Sequence, residues 1–85
     1  MFGEAVIKID VHGMRTEEAL KAVTAKVEEA PKTCYKVQVI HGFNGGTRIR
    51  SALREEFSYG RQPKVKRVAM GDNEGVTDLI LRELY

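Results

Sequence analysis

The sequence has little or none of several features that mark particular classes of protein. It contains one cysteine and no tryptophan in 85 residues. A lone cysteine excludes an internal disulfide and a metal site built from several cysteines, and small domains without disulfides are usually intracellular. No apolar run is long enough to span a bilayer, and charged residues interrupt the N-terminal stretch where a signal peptide needs an apolar core. We therefore expect a cytoplasmic protein with no membrane association, folded as one domain over residues 1–85.

Net charge is also small, +2, but it is unevenly distributed along the chain. Residues 1–31 carry four basic and six acidic side chains, whereas residues 36–67 carry eight basic and two acidic ones. The net charge of +6 over the second stretch predicts a basic face that attracts polyanions. A solvated surface without a partner is the alternative explanation of the same pattern.

Hydrophobic periodicity predicts two consecutive strand–helix units followed by a shorter strand. Apolar residues alternate through 5–12, which predicts a strand, and an apolar stripe predicts a helix over 16–30 with Thr16 as its N-cap. A second strand covers 35–40 and leads through a glycine-rich loop to a second helix. Residues 64–70 are rich in β-branched side chains and predict a third strand.

The last apolar segment, residues 76–84, fits two patterns. Val76, Leu79, Ile80 and Leu84 are spaced as a helical stripe, while alternate residues of the same segment fit a strand. Periodicity alone leaves both structures open.

The two histidines occupy equivalent positions in the two strand–helix units. His12 and His41 are 29 residues apart, and a glycine follows each of them. Consecutive β–α units imply parallel strands with right-handed crossovers, and ligands bind such sheets at the edge formed by the carboxyl ends of the strands. We therefore expect Asp10, His12 and His41 at one edge of the sheet, beside the loop 42–47.

Residue types at this edge suit phosphodiester chemistry. A histidine takes or gives a proton near neutral pH, and Asp10, two positions before His12, points to the same side and could orient its imidazole. A glycine-rich loop before a helix offers free N–H groups to a phosphate, and Arg48 and Arg50 add forked donors. Asp10 could instead cap the turn that follows the strand, which is a structural role.

Three segments resemble the signature of the Smr (small MutS-related) domain family. Residues 9–19 resemble the family's first motif, a strand ending Leu-Asp-Leu-His-Gly followed by a helix that opens on Glu-Ala. Residues 39–50 resemble the second motif, with a glycine-rich turn before a helix that contains Ile-Arg. Residues 74–81 resemble the closing glycine-containing turn and terminal strand. The resemblance covers nearly the whole chain.

The resemblance implies a fold and an activity. The fold is an α/β two-layer sandwich, in which a four-stranded mixed β-sheet packs against two α-helices in the order β-α-β-α-β-β, and it makes residues 76–84 a strand. Members of the family are associated with nicking DNA or cleaving RNA.

The motifs also carry over residue by residue. Asp10 and His12 match the acidic residue and the histidine of the first motif. Gly42 matches the first glycine of the second motif, usually Thr-Gly-x-Gly, and His41 takes the place of its threonine. Asn44 stands where the second glycine is expected.

We therefore predict a nucleic-acid-binding Smr-like domain that hydrolyses phosphodiester bonds in DNA or RNA, with Asp10, His12 and His41 as the catalytic residues. The predicted phosphate-binding residues are Gly13, Arg15, Gly42, Asn44, Gly45, Gly46, Thr47, Arg48 and Arg50. No metal site and no resident cofactor are predicted, although a requirement for a divalent cation stays open, as does a protein partner. A binding module without catalysis is the main alternative, and a protein-interaction adaptor is a third.

Overall fold

Strands and helices follow one another in the predicted order, β-α-β-α-β-β. The computed structural model describes residues 5–43 and 47–82. Its elements are β1 (Ala5–Asp10), α1 (Thr16–Glu29), β2 (Cys34–Ile40), α2 (Thr47–Phe57), β3 (Arg67–Met70) and β4 (Val76–Ile80). The four strands form one mixed sheet, so the predicted α/β fold with two helices is confirmed.

The strand order of the sheet is β1-β2-β4-β3. β1 pairs with β2 in parallel, and β4 runs antiparallel to both of its neighbours, β2 and β3. β3 therefore points the same way as β1 and β2 although β4 lies between them. The carboxyl ends of β1, β2 and β3 share one edge of the sheet, which we call the carboxyl edge. β1 is an outer strand there, whereas β2 is a central one.

Both helices pack on one face of the sheet. Val37 and Val39 of β2 and Leu79 of β4 are fully buried on this face, and they pack with Val23 of α1 and Leu53 of α2. Each such side chain stabilises the fold by about 1.5–3 kcal/mol when removed from water. Within the described ranges, no helix is both long and apolar enough to cross a membrane.

The helix start and the third strand differ slightly from the pattern-based prediction. α1 begins at Thr16, but its N-cap is Arg15, whose backbone N–H donates to the Glu18 carboxylate at 3.3 Å. The prediction of Thr16 as N-cap is therefore wrong by one residue. The Glu18 carboxylate in the first turn accepts the backbone N–H of Arg15, which makes Arg15 the cap. β3 begins at Arg67 rather than at 64, since a turn closed by Val65 N–H and the Gln62 carbonyl (3.0 Å) precedes it.

The ambiguous final segment forms a strand. β4 covers Val76–Ile80, and it lies between β2 and β3 with four of its five residues buried. Both of its faces are covered, and its buried polar residues Thr77 and Asp78 bond to His41 and Lys36, so its sequence does not alternate between apolar and polar residues. The strand ends at Ile80, so the predicted extension over residues 81 and 82 is wrong, and residues 83 and 84, the end of the predicted segment, lie outside the described residues.

An ion pair lies on the sheet face opposite the helices. Lys36 Nζ donates to Asp78 Oδ2 at 2.9 Å, and both side chains are largely buried. This hydrogen bond raises the pKa of Lys36. The stabilisation it contributes is therefore complete below the ordinary lysine pKa and is lost only as pH rises through the raised value.

Candidate nucleic-acid and catalytic site

A carboxylate and an imidazole form a hydrogen-bonded pair at the end of β1. Asp10 is the last residue of β1, and His12 follows on the same side of the chain. Asp10 Oδ1 lies 2.5 Å from His12 Nδ1 and accepts the His12 backbone N–H at 3.1 Å. Because a carboxylate oxygen accepts, the imidazole donates from Nδ1, and we call this pair the Asp10–His12 dyad.

The dyad is open to solvent. The side chains of His12 and Asp10 are 70% and 54% exposed, and His12 Nε2 has no hydrogen-bond partner among the described residues. The side-chain hydrogen bond from Asp10 raises the pKa of His12. The same hydrogen bond, with the backbone one, lowers the pKa of Asp10. The imidazole therefore holds a proton more readily than a free histidine and presents Nε2 to the outside.

The second histidine is at the same edge, but its ring points inward. His41 is 2% exposed. Its Nδ1 donates to the Gly42 carbonyl at 3.1 Å, and its Nε2 is 2.8 Å from the Thr77 hydroxyl. Both ring nitrogens are thus occupied inside the protein, and the imidazole ties the end of β2 to the start of β4.

The turn before β4 covers the end of β2. The Gly75 carbonyl accepts the N–H groups of both His41 and Gly42, at 2.9 and 3.0 Å. Gly42 has φ +85°, and a Cβ built there would lie 3.6 Å from His12 Cβ. The backbone at Gly42 therefore passes directly beside the dyad, in a conformation that side-chain-bearing residues adopt only with strain.

A small cleft lies between this turn and the start of α2. Its volume is about 100 Å³, and we call it the α2 cleft. It is lined by His41, Gly42, Phe43, Thr47, Arg50 and Glu74. N–H groups in the first turn of a helix and the positive end of its dipole favour an anion. Within the described ranges Arg48 and Arg50 form no ion pair, and Glu74 is the one acid on the lining.

Other predicted phosphate-binding residues flank this site. Gly13 has φ +80° in the turn after His12, and the Arg15 side chain is exposed at the start of α1. Thr47 and Arg48 are exposed in the first turn of α2. The remaining three, Asn44, Gly45 and Gly46, lie outside the described residues.

Three residues at the site escaped the sequence-based prediction. Phe43 is 61% exposed on the cleft, and its signal is an aromatic residue inside a glycine-rich loop. Glu74 and Thr77 come from the last strand and the turn before it, and no local pattern ties them to the histidines. Within residues 5–43 and 47–82, no three His, Cys, Asp or Glu side chains cluster as metal ligands.

Comparison with known families shows which family the chain belongs to. The sequence profile of the Smr domain matches residues 9–79, which is most of the chain. The protein belongs to the Smr domain family. The crystal structure of the Smr domain of Thermus thermophilus MutS2 superposes on this Smr domain with a TM-score of 0.77 and 29% sequence identity. The match covers 91% of this chain and 99% of that one. A search of curated proteins finds no match.

Membership confirms the predicted resemblance to the Smr family. Smr domains are a family of nucleic-acid-binding, nuclease-like domains. The Asp10–His12 dyad and the start of α2 both lie inside the matched residues, so the family match covers the site as well as the fold.

Proposed function

We propose that this Smr domain binds DNA or RNA at the carboxyl edge and hydrolyses a phosphodiester bond there. The observation that carries the proposal is the Asp10–His12 dyad, a 2.5 Å contact that leaves Nε2 facing solvent. An imidazole oriented by a carboxylate at one nitrogen and free at the other is a general base with a fixed direction.

His12 takes the reacting role in this mechanism. Its Nε2 removes a proton from the attacking oxygen, a water or a ribose hydroxyl, as that oxygen forms its bond to phosphorus. Asp10 holds Nδ1–H and stabilises the imidazolium that results. The P–O bond to the leaving oxygen breaks, and solvent protonates that oxygen, because the dyad is more than half exposed.

The start of α2 supplies the electrostatic stabilisation of the reacting phosphate. Arg48 and Arg50 and the first N–H groups of α2 hold the phosphate and its developing charge. Gly42 and Thr47 complete this side of the site, while Gly13 and Arg15 contact the nucleic-acid backbone on the other side. Asn44, Gly45 and Gly46 stay predicted phosphate-binding residues, and they lie outside the described residues. His41 assists as a positioning residue, since its ring bonds hold the segment that passes beside His12.

Substitution of the dyad tests the catalytic claim. His12→Ala is expected to lower the cleavage rate of single- and double-stranded DNA and RNA by about 10²- to 10⁴-fold, the usual contribution of a general base. Asp10→Asn should lower the rate less, since the base remains. Glu29→Gln, which removes a carboxylate at the far end of α1, is the control and should cleave as wild type. Each assay is run with Mg²⁺ and with a chelator, and equal cleavage by wild type and His12→Ala refutes the claim.

A binding module without catalysis is the second candidate. The observation that favours it is the inward ring of His41, which leaves one histidine instead of two with a free nitrogen. It predicts that wild type and His12→Ala bind oligonucleotides with the same affinity and that neither cleaves them under any of these conditions.

A further inference from the structure

An exposed aromatic ring stands on the α2 cleft. Phe43 directly follows Gly42 at the end of β2, and its side chain is 61% exposed. A phenylalanine at a surface leaves apolar area in water that burial would stabilise by about 25 cal/mol for each Å². A single exposed apolar residue is ordinary on a protein surface, so the neighbours of Phe43 decide what it signifies.

Those neighbours are polar. Apart from Phe43, the described residues that line the cleft are His41, Gly42, Thr47, Arg50 and Glu74, and none of these has a large aliphatic side chain. A protein partner with an apolar surface would contact the Phe43 ring and, among the described lining residues, no other large apolar side chain. A ligand that matches this lining has a flat π face and an anionic group, and a nucleotide carries both.

The backbone that holds the ring is pinned. The N–H groups of His41 and Gly42 donate to the Gly75 carbonyl at 2.9 and 3.0 Å, and the His41 ring bonds to Thr77. Phe43 therefore projects from an anchored segment, which reduces the entropy cost when a base packs on it. Arg50, across the same cleft, is placed to hold the phosphate of the same strand.

We infer that Phe43 stacks on an unpaired nucleobase next to the phosphate held at the start of α2. The substrate class is therefore single-stranded nucleic acid, or a duplex with an unpaired base at the site, in preference to a perfect duplex. A base inside a duplex already stacks on both neighbours, and extruding it costs free energy. The inference rests on the proposed function and deepens it by naming the substrate class.

Fluorescence of a stacked base tests the inference directly. A short oligonucleotide with 2-aminopurine at one position is titrated with wild type, as DNA and as RNA, single-stranded and in a perfect duplex. We expect quenching and tighter binding for the single strands, with the DNA and RNA arms showing whether the sugar matters. Phe43→Ala should weaken single-strand binding by about 5- to 100-fold, the usual effect of removing one stacked base, and should abolish the quenching.

Two further variants make the test specific. Phe43→Tyr keeps a ring and should retain both affinity and quenching. Tyr59→Ala removes a ring that is 74% exposed beyond the end of α2, and α2, with 11 residues, spans roughly 16 Å. This control should behave as wild type.

The outcomes separate the inference from the proposed function. If wild type binds oligonucleotides but prefers perfect duplexes, or if Phe43→Ala binds and quenches as wild type does, stacking is refuted and the proposed function stands. If wild type binds no oligonucleotide in any arm, both are refuted, and a protein-docking role for Phe43 becomes the explanation of its exposure.

Discussion

At the scale of single residues, the site depends on how two similar histidines are placed. His12 pairs with Asp10 and faces solvent, whereas His41 is 2% exposed and bonds to Gly42 and Thr77. Their sequence contexts are nearly equivalent, since each follows a strand closely and precedes a glycine. The difference in burial assigns the reacting role to His12 and a positioning role to His41 in the proposed mechanism.

Removal of the Asp10 charge should change the titration of His12. Asp10→Asn is expected to lower the pKa of His12 toward its ordinary value, because the hydrogen bond from the carboxylate raises it. If His12 is a base, cleavage declines as pH falls through this pKa, so the acidic limb of the pH–rate profile moves to lower pH in the variant.

Titration of the histidine ring signals by NMR measures this shift. Glu17→Gln removes an exposed carboxylate from the first turn of α1 without touching the dyad, and it should leave the His12 pKa nearly unchanged. The same pKa in Asp10→Asn and wild type would contradict the hydrogen bond as the cause.

At the scale of elements, the strand order determines which histidine is covered. β1 is an outer strand among the described strands, and the His12 side chain that follows it is 70% exposed. β2 has neighbours on both sides, and the turn before β4 closes over its end through the Gly75 carbonyl. Sequence patterns correctly predicted the type of the first five elements, because each depends on local periodicity, and the Smr resemblance correctly predicted the last strand. The insertion of β4 between β2 and β3 is a long-range pairing that no local pattern specifies.

The hydrogen bond between β2 and β4 at His41 should be measurable as stability. Thr77→Val is expected to lower the free energy of unfolding by about 1–3 kcal/mol, because it leaves the buried Nε2 of His41 without a partner. Thr77→Ser, which keeps the hydroxyl, should have a smaller effect. Thr33→Val in an exposed turn is the control. Denaturant unfolding measures all three, and a Thr77→Val value equal to that of the control would show that the hydrogen bond contributes nothing.

At the scale of the whole molecule, the basic stretch of the sequence, residues 36–67, reaches the carboxyl edge of the sheet at the start of α2. Arg48 and Arg50 form no ion pair within the described ranges. Arg50 lines the same cleft as Phe43, and Arg48 is exposed in the first turn of α2. Other basic residues of the same stretch serve the fold: Lys36 pairs with Asp78, and Lys64 Nζ donates to the Glu28 and Ala30 carbonyls at the end of α1. The charge count therefore overstates the basic surface that is available to a nucleic acid.

Salt dependence of binding tests this assignment of charge. Replacing Arg48 and Arg50 with alanine should weaken single-strand binding and reduce the slope of log K against log salt by about 0.7 for each phosphate that the variant no longer neutralises. Glu74→Gln should strengthen binding, since it removes the acid from the cleft. Lys26→Ala with Lys32→Ala removes the same charge at the far end of α1 and should leave the slope unchanged. An unchanged slope in the arginine variant would move the binding surface elsewhere.

The sequence by itself determined the elements, the family and the placement of Asp10, His12 and the start of α2 at one edge. The elements follow from local periodicity and turn chemistry, the family follows from the three motifs, and the shared edge follows from the direction of the two parallel strands. Only the tertiary structure decided which histidine exposes a ring nitrogen to solvent and which basic side chains are not already used within the fold. It also decided that Phe43 lies on the α2 cleft. The reason is that burial depends on strand order, and strand order here depends on β4, which pairs with β2 from 36 or more residues further along the chain.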